Sequence, residues 1–259
     1  MSLTAPQAAH IKAILRHSLL GKLKHYQPEP SAMPFHTRLL GADRLALYSF
    51  IHSLNTSFGT SIFEPVAVAL ATPHFKVVRR QVALQRTIYS GAQDAITEML
   101  NAPSEARITP NKVEELETLR QVAATGKVTT MKATRVDLYL EQDNGQHYLF
   151  DLKTAKPNQG DFKKFKRMLL EWAAVLFAHQ PHIALTTAIA IPYNPYAPQP
   201  YERWTARGMM DLTHELFVAE QFWDFLGGEG SYQALLDLFE QVGVELRPEL
   251  DAAFQRFTP

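Results

Sequence analysis

Two β-prone runs flank the tripeptide Asp143-Asn144-Gly145, and that arrangement constrains the fold of this 259-residue chain more than any other feature. Lys127–Glu141 is rich in Val, Thr and Tyr, with apolar residues alternating at Val136, Leu138 and Leu140; His147–Thr154 has the same character. Period-two alternation marks a strand, and an Asn-Gly or Asp-Gly step between two such runs marks a hairpin. The periodicity before the hairpin is helical: 5–26 and 40–55, separated by Pro28, Pro30 and Pro34, then 62–100 with a break near Pro73, then 112–124 stopped by Gly126. After it, Asp161–His179 reads as an apolar helix with Phe165, Leu169, Trp172 and Leu176 at helical spacing. Ile183–Ile191 is a continuous apolar run that suits a buried strand. A Pro- and Tyr-rich loop at 192–200 precedes two or three C-terminal helices. This order predicts a single α/β domain over 1–259, a mixed β-sheet core flanked by helices with helical N- and C-terminal additions. Its parts are a helical segment at 1–60, a core at 61–192, and a loop with C-terminal helices at 193–259.

The hairpin also carries the chemistry. Asp137 interrupts the apolar run Val136–Leu140, and Asp151 with Lys153 interrupts Tyr148–Leu152 and its continuation. Alternation places Asp151 and Lys153 on one face. If Asp143-Asn144-Gly145 is a three-residue loop with Gly145 left-handed, Gln142 pairs with Gln146 and Asp137 falls directly opposite Asp151, Cβ atoms about 5 Å apart. A two-residue Asn-Gly loop sends Asp137 to the other face. Two carboxylates that close repel unless they share a proton or bind a cation. An all-oxygen site beside a lysine suits Mg²⁺, a hard cation satisfied by one or two carboxylates plus phosphate.

Composition removes other chemistries. The chain has no cysteine, so disulfide scaffolds, thiol nucleophiles and thiolate metal sites are excluded. Its ten histidines form no ligand motif, and neither a Gly-rich phosphate loop nor a Gly-x-Ser-x-Gly elbow is present. No apolar run approaches the ~18 residues of a membrane span, and Lys12, Arg16 and His17 break the N-terminal apolar stretch. The expected setting is cytoplasmic. Net charge is zero, with 26 basic and 26 acidic residues, but it is unevenly spread. From Gly208 onward ten acidic residues face two arginines, so that segment is −8 and the preceding residues +8. Lys156, Lys163, Lys164, Lys166 and Arg167 form the most basic run, directly after the acidic hairpin. Such a run would meet a phosphate backbone.

The Asp137…Asp151-Leu152-Lys153 pattern across a hairpin resembles the PD-(D/E)xK nuclease core, with Val136 in place of the usual proline. Phe58–Pro65 looks like the opening of the first helix in several type II restriction endonucleases. Asp151–Asn158, Phe165–Trp172 and Phe222–Gly228 are similar to the TdeIII-like group of those enzymes. The resemblance implies a homodimeric, Mg²⁺-dependent endonuclease that cuts double-stranded DNA at a short near-palindromic site, of GGNCC type in this group. By that resemblance Asp137, Asp151 and the Leu152 carbonyl would hold the metal, and Lys153 would position or activate the attacking water. Glu64 either completes this site, as a helix glutamate does in related nucleases, or closes a capping box with Ser61, a role that Pro65 speaks against. Glu171, four residues after Arg167, reads as a salt-bridge partner. DNA-contacting candidates are Lys156, Asn158, Gln159, Lys163, Lys164, Arg167, Asn194, Arg203 and Arg207. Phe222, Trp223, Phe225 and Leu226 either fill the core or form a dimer surface. The competing readings are a structure-specific or repair nuclease on the same core, and a non-catalytic DNA-binding protein with a degenerate hairpin.

Overall fold

In a computed structural model, residues 3–26, 33–101, 109–153, 161–201 and 208–257 are described. They form two compact units, 1–69 with 228–259 and 70–227.

The first unit is helical. α1 (Ala5–His25) starts at a reciprocal cap in which Thr4 and Gln7 satisfy each other's backbone N–H. α2 (Pro34–Leu40) and α3 (Ala42–Phe58) follow, and α3 runs through a single π-helical turn (Gly59–Phe63) into α4 (Glu64–Ala71). The C-terminal helices of this unit are α9 (Ser231–Glu245) and α10 (Arg247–Phe257). Leu23, Tyr26, Phe50 and Ala253 form its buried cluster, and Arg16 pairs with Glu245 at 2.5 Å. The capping box at Ser61–Glu64 does not form, because the helix is continuous there. Ser61 Oγ instead donates back to the Ser57 carbonyl at 2.6 Å.

The second unit is built on a five-stranded sheet: β1 (Val77–Ala83), β4 (Arg135–Glu141), β5 (Gln146–Leu152), β6 (Ala184–Ile191) and β7 (Leu216–Val218), in that spatial order. β1–β4 and β4–β5 are antiparallel, while β5–β6 and β6–β7 are parallel. This is the mixed sheet that the element order predicts. A separate two-stranded ribbon joins β2 (Thr87–Tyr89) and β3 (Val128–Thr130). The expected helix over 62–100 is therefore wrong between Val77 and Tyr89. The Val77-Val78-Arg79-Arg80-Gln81-Val82 stretch pairs as an edge strand, where one exposed side blurs the alternation, and β4 satisfies its backbone groups. Helix resumes only at α5 (Ser90–Asn101), followed by α6 (Lys112–Val122), which Asn111 caps by accepting from Val113 and Glu114.

α7 (Asp161–His179) is the long post-hairpin helix. Its inward residues Phe162, Leu169, Leu170, Trp172, Ala173 and Phe177 pack with Ile96, Leu119, Leu149 and Ile189 in the main core. Each large side chain so buried contributes about 2–3 kcal/mol. The Trp172 indole donates to Thr134 Oγ1 at 2.9 Å. Phe150, on the other sheet face, meets Phe217 and Phe222 edge-on at 5.1 and 5.4 Å. Phe222, Trp223 and Leu226, on α8 (Glu220–Gly227), are buried and Phe225 joins the aromatic cluster, so these residues fill the core. Among the described residues, no helix is long and apolar enough to cross a membrane.

Candidate active site

The β4–β5 hairpin decides the geometry. Gly145 adopts φ 81°, its N–H donates to the Gln142 carbonyl, and the Gln142 N–H donates to Gln146 at 2.9 Å. The loop is thus the three-residue form, and the register pairs Leu138 with Phe150 and Glu141 with His147. Continued by one residue, that register sets Asp137 opposite Asp151. Tyr139 Oη lies 2.6 Å from His147 Nδ1, so alternate residues of the two strands do share a face.

Asp137 is oriented at both oxygens. Oδ2 accepts from the Leu152 N–H at 2.8 Å, and Oδ1 accepts from Gln81 Nε2 at 3.1 Å. Asp151 is only 4% exposed. The Lys153 ammonium lies 2.7 Å from Asp151 Oδ2. Oδ2 is therefore a buried oxygen whose close partner is this ammonium. Lys153 is one-third exposed, its Nζ sits 5.3 Å from the Phe165 ring centre, and its backbone N–H donates to the Ala190 carbonyl of β6.

Burial pushes the Asp151 carboxyl from the ordinary 3.8 up to about 7; Lys153 opposes this and Asp137 adds to it. The site is short of positive charge, with the Lys153 ammonium set against two carboxylates. A small hard cation fits that donor set. Among the described residues no group of three or more His, Asp or Glu side chains converges. A cation held here would therefore be bound by the aspartate pair with backbone or phosphate oxygens, the sparse protein coordination that Mg²⁺ tolerates.

The other residues singled out from sequence have different surroundings. Lys163, Lys164 and Arg167 are exposed along α7. Lys156, Asn158, Gln159, Arg203 and Arg207 lie outside the described residues. Asn194 uses its side chain within its own loop, accepting from the Tyr196 N–H and donating to the Gln199 carbonyl. Glu64 is nearly fully buried at the start of α4, in the unit other than the hairpin's. Burial pushes the half-buried Glu171 carboxyl up, with Arg167 opposing it.

Lys166 is a correction. It does not belong to a solvent-facing basic cluster: it is 0% exposed, and its ammonium sits 2.5 Å from both Glu115 and Glu215. Lys112, also buried, pairs with Glu215 at 2.8 Å. Burial depresses the Lys112 amine and raises the Glu115 carboxyl, whereas for Glu215 burial is outweighed by the two lysines, which hold it low. A signal for this exists in the chain: Lys166 shares the inward stripe of α7 with Phe162, Leu169 and Leu170, so its helical position demands buried anions. Sequence reasoning misses Gln81, because its segment reads as helix.

A family model described as type II restriction endonuclease, HinfI, matches residues 5–243. The chain belongs to this restriction endonuclease family. Its fold is the restriction-endonuclease-like mixed sheet with flanking helices, and its enzymatic class is that of a type II site-specific deoxyribonuclease. The resemblance read from the sequence thus reaches the right enzymes, although the matching family is described by HinfI rather than as the TdeIII-like group. The chain is 26% identical to the type II restriction enzyme HgiEI of Herpetosiphon aurantiacus over 221 residues, 84% of this chain and 79% of that protein. It is 26% identical to HgiCII of the same organism over 223 residues, 84% and 80% of the two chains. It is also 27% identical to MjaII of Methanocaldococcus jannaschii over 213 residues, 76% of this chain and 55% of that protein. Membership of this family implies DNA binding and, in general, a divalent metal.

Proposed function

We propose that this restriction endonuclease hydrolyses duplex DNA at a PD-(D/E)xK centre made of Asp137, Asp151 and Lys153, with Mg²⁺ as cofactor. The observation that carries this is the pairing of two carboxylates across the β4–β5 hairpin, one of them buried, with the Lys153 ammonium beside it. Asp137, Asp151 and the Leu152 carbonyl would hold the ion; when bound, it supplies polarisation of the scissile phosphate and an acidified water. Asp137 is held by the Leu152 N–H, so its carboxylate is already turned toward Asp151 before any ligand arrives. Lys153 offers its ammonium beside Asp151, where it can orient the nucleophilic water and offset negative charge gathering on the phosphate.

Lys163, Lys164 and Arg167 would contact the phosphate backbone together with Lys156, while Asn158, Gln159, Asn194, Arg203 and Arg207 would read bases. One centre cuts one strand, so a near-palindromic site is cut by a two-fold homodimer. Similarity of Asp151–Asn158 and Phe165–Trp172 to the TdeIII-like group supports a site of GGNCC type. The test is digestion of a plasmid of known sequence with Mg²⁺, with the ends mapped. Discrete fragments ending at GGNCC are expected; discrete fragments ending elsewhere overturn the target, and smearing or branch-selective cutting overturns the restriction task.

A further inference from the structure

Gln81 stands in β1 directly across from Asp137, between the pairs Arg80–Leu138 and Val82–Val136. The register is the same on both sides of it, so no residue has been inserted. Gln81 alone leaves the ladder, at φ 55°. Such a left-handed backbone is uncommon for a residue with a side chain, and it persists only where the surroundings impose it. Here it coincides with a bond from Gln81 Nε2 to Asp137 Oδ1 at 3.1 Å. Leu152 holds the other oxygen, so the Asp137 carboxylate is clamped from both neighbouring strands.

We propose that Gln81 is a positioning residue for the metal centre: it fixes the plane and rotamer of Asp137 so that its free lone pairs converge with those of Asp151 on one cation. This rests on the reading of Asp137 and Asp151 as metal ligands. A neutral amide suits the task, because it donates a hydrogen bond while leaving the carboxylate its charge. Groups that orient metal ligands in this way commonly change metal affinity 10- to 100-fold when removed.

The test is isothermal titration of Mg²⁺ into the wild-type protein and into Gln81→Gly, Gln81→Met and Asp151→Asn, with thermal unfolding of each in its absence. Gly accepts the left-handed backbone without strain, and Met keeps the length of the side chain without its N–H. Both Gln81 variants should bind Mg²⁺ roughly 10- to 100-fold more weakly, and Gln81→Gly should do so with no fall in Tm. In cleavage assays kcat should drop while the KM for DNA holds. If Gln81→Gly and Gln81→Met bind Mg²⁺ as wild type does while Asp151→Asn no longer binds it, the role of Gln81 is refuted and the metal centre stands. Unchanged binding by Asp151→Asn refutes both.

Discussion

The backbone N–H of Leu152 donates to Asp137 Oδ2 at 2.8 Å, tying a carboxylate of one hairpin strand to the main chain of the other, between Asp151 and Lys153. Backbone pairing of the hairpin thereby sets the two aspartates side by side, and Gln81 of β1 completes the hold on Asp137.

Asp151→Asn keeps the shape of the side chain and removes its charge. Cleavage should fall roughly 10²- to 10³-fold, the several kcal/mol expected when a metal ion loses a charged ligand. Single-turnover cleavage of a duplex carrying the mapped site measures it; activity within threefold of wild type removes Asp151 from the centre.

The same residue should make stability depend on pH. The folded state holds the Asp151 proton up to about pH 7, whereas the unfolded chain releases it near 3.8. The contribution is fully present below 3.8 and is lost as pH rises through about 7. Metal-free wild type should therefore lose stability across this window relative to Asp151→Asn. At pH 8 the variant should be the more stable by roughly 1–3 kcal/mol, about 2–4 °C in Tm for each kcal/mol. Urea unfolding at pH 5 and pH 8 with a chelator present checks the sign, and a difference that does not grow with pH contradicts it.

Lys166→Met leaves Glu115 and Glu215 buried without the cation that joins them. Removing one partner of such a network costs about 3–5 kcal/mol. Chemical denaturation should show a loss of that size, and a loss under 1 kcal/mol would mean that Lys112 alone satisfies Glu215.

Lys163, Lys164 and Arg167 are exposed, so replacing all three with Ala should leave the unfolding midpoint nearly unchanged. DNA affinity should fall, and the slope of log K against log salt should become shallower by about 0.9 for each phosphate that is no longer neutralised. An unaltered slope assigns the phosphate-binding role to other residues.

Much of this was legible in the chain. The hairpin could be read from the alternation of Val136, Leu138 and Leu140 and from a glycine suited to a left-handed turn, because both are local properties of a few consecutive residues. α7 was legible end to end, since nineteen residues carry one apolar stripe interrupted at Lys166. β1 was not: its partner lies more than fifty residues away, and an edge strand with exposed Arg79 and Arg80 imprints little period on its own sequence. Ser61–Glu64 likewise spells a cap, but the continuity of α3 through the π-helical turn removes the free helix end that a cap requires.

By itself, then, the sequence determined the chemical inventory: two aspartates and a lysine on adjoining strands, no thiol, and a family signature spread along the chain. Alternation also determined that Asp151 and Lys153 share a face. Only the tertiary structure decided between the two hairpin registers, because a one-residue slip reverses a face and both turns fit Asp143-Asn144-Gly145. It also decided the fate of individual charges. Lys166 and Lys163 are the same residue type three positions apart, yet one is sealed between two glutamates and the other lies in solvent. That difference arises from which side of α7 faces the sheet and from anions brought in from α6 and the approach to β7, pairings over long sequence separations that no local pattern contains.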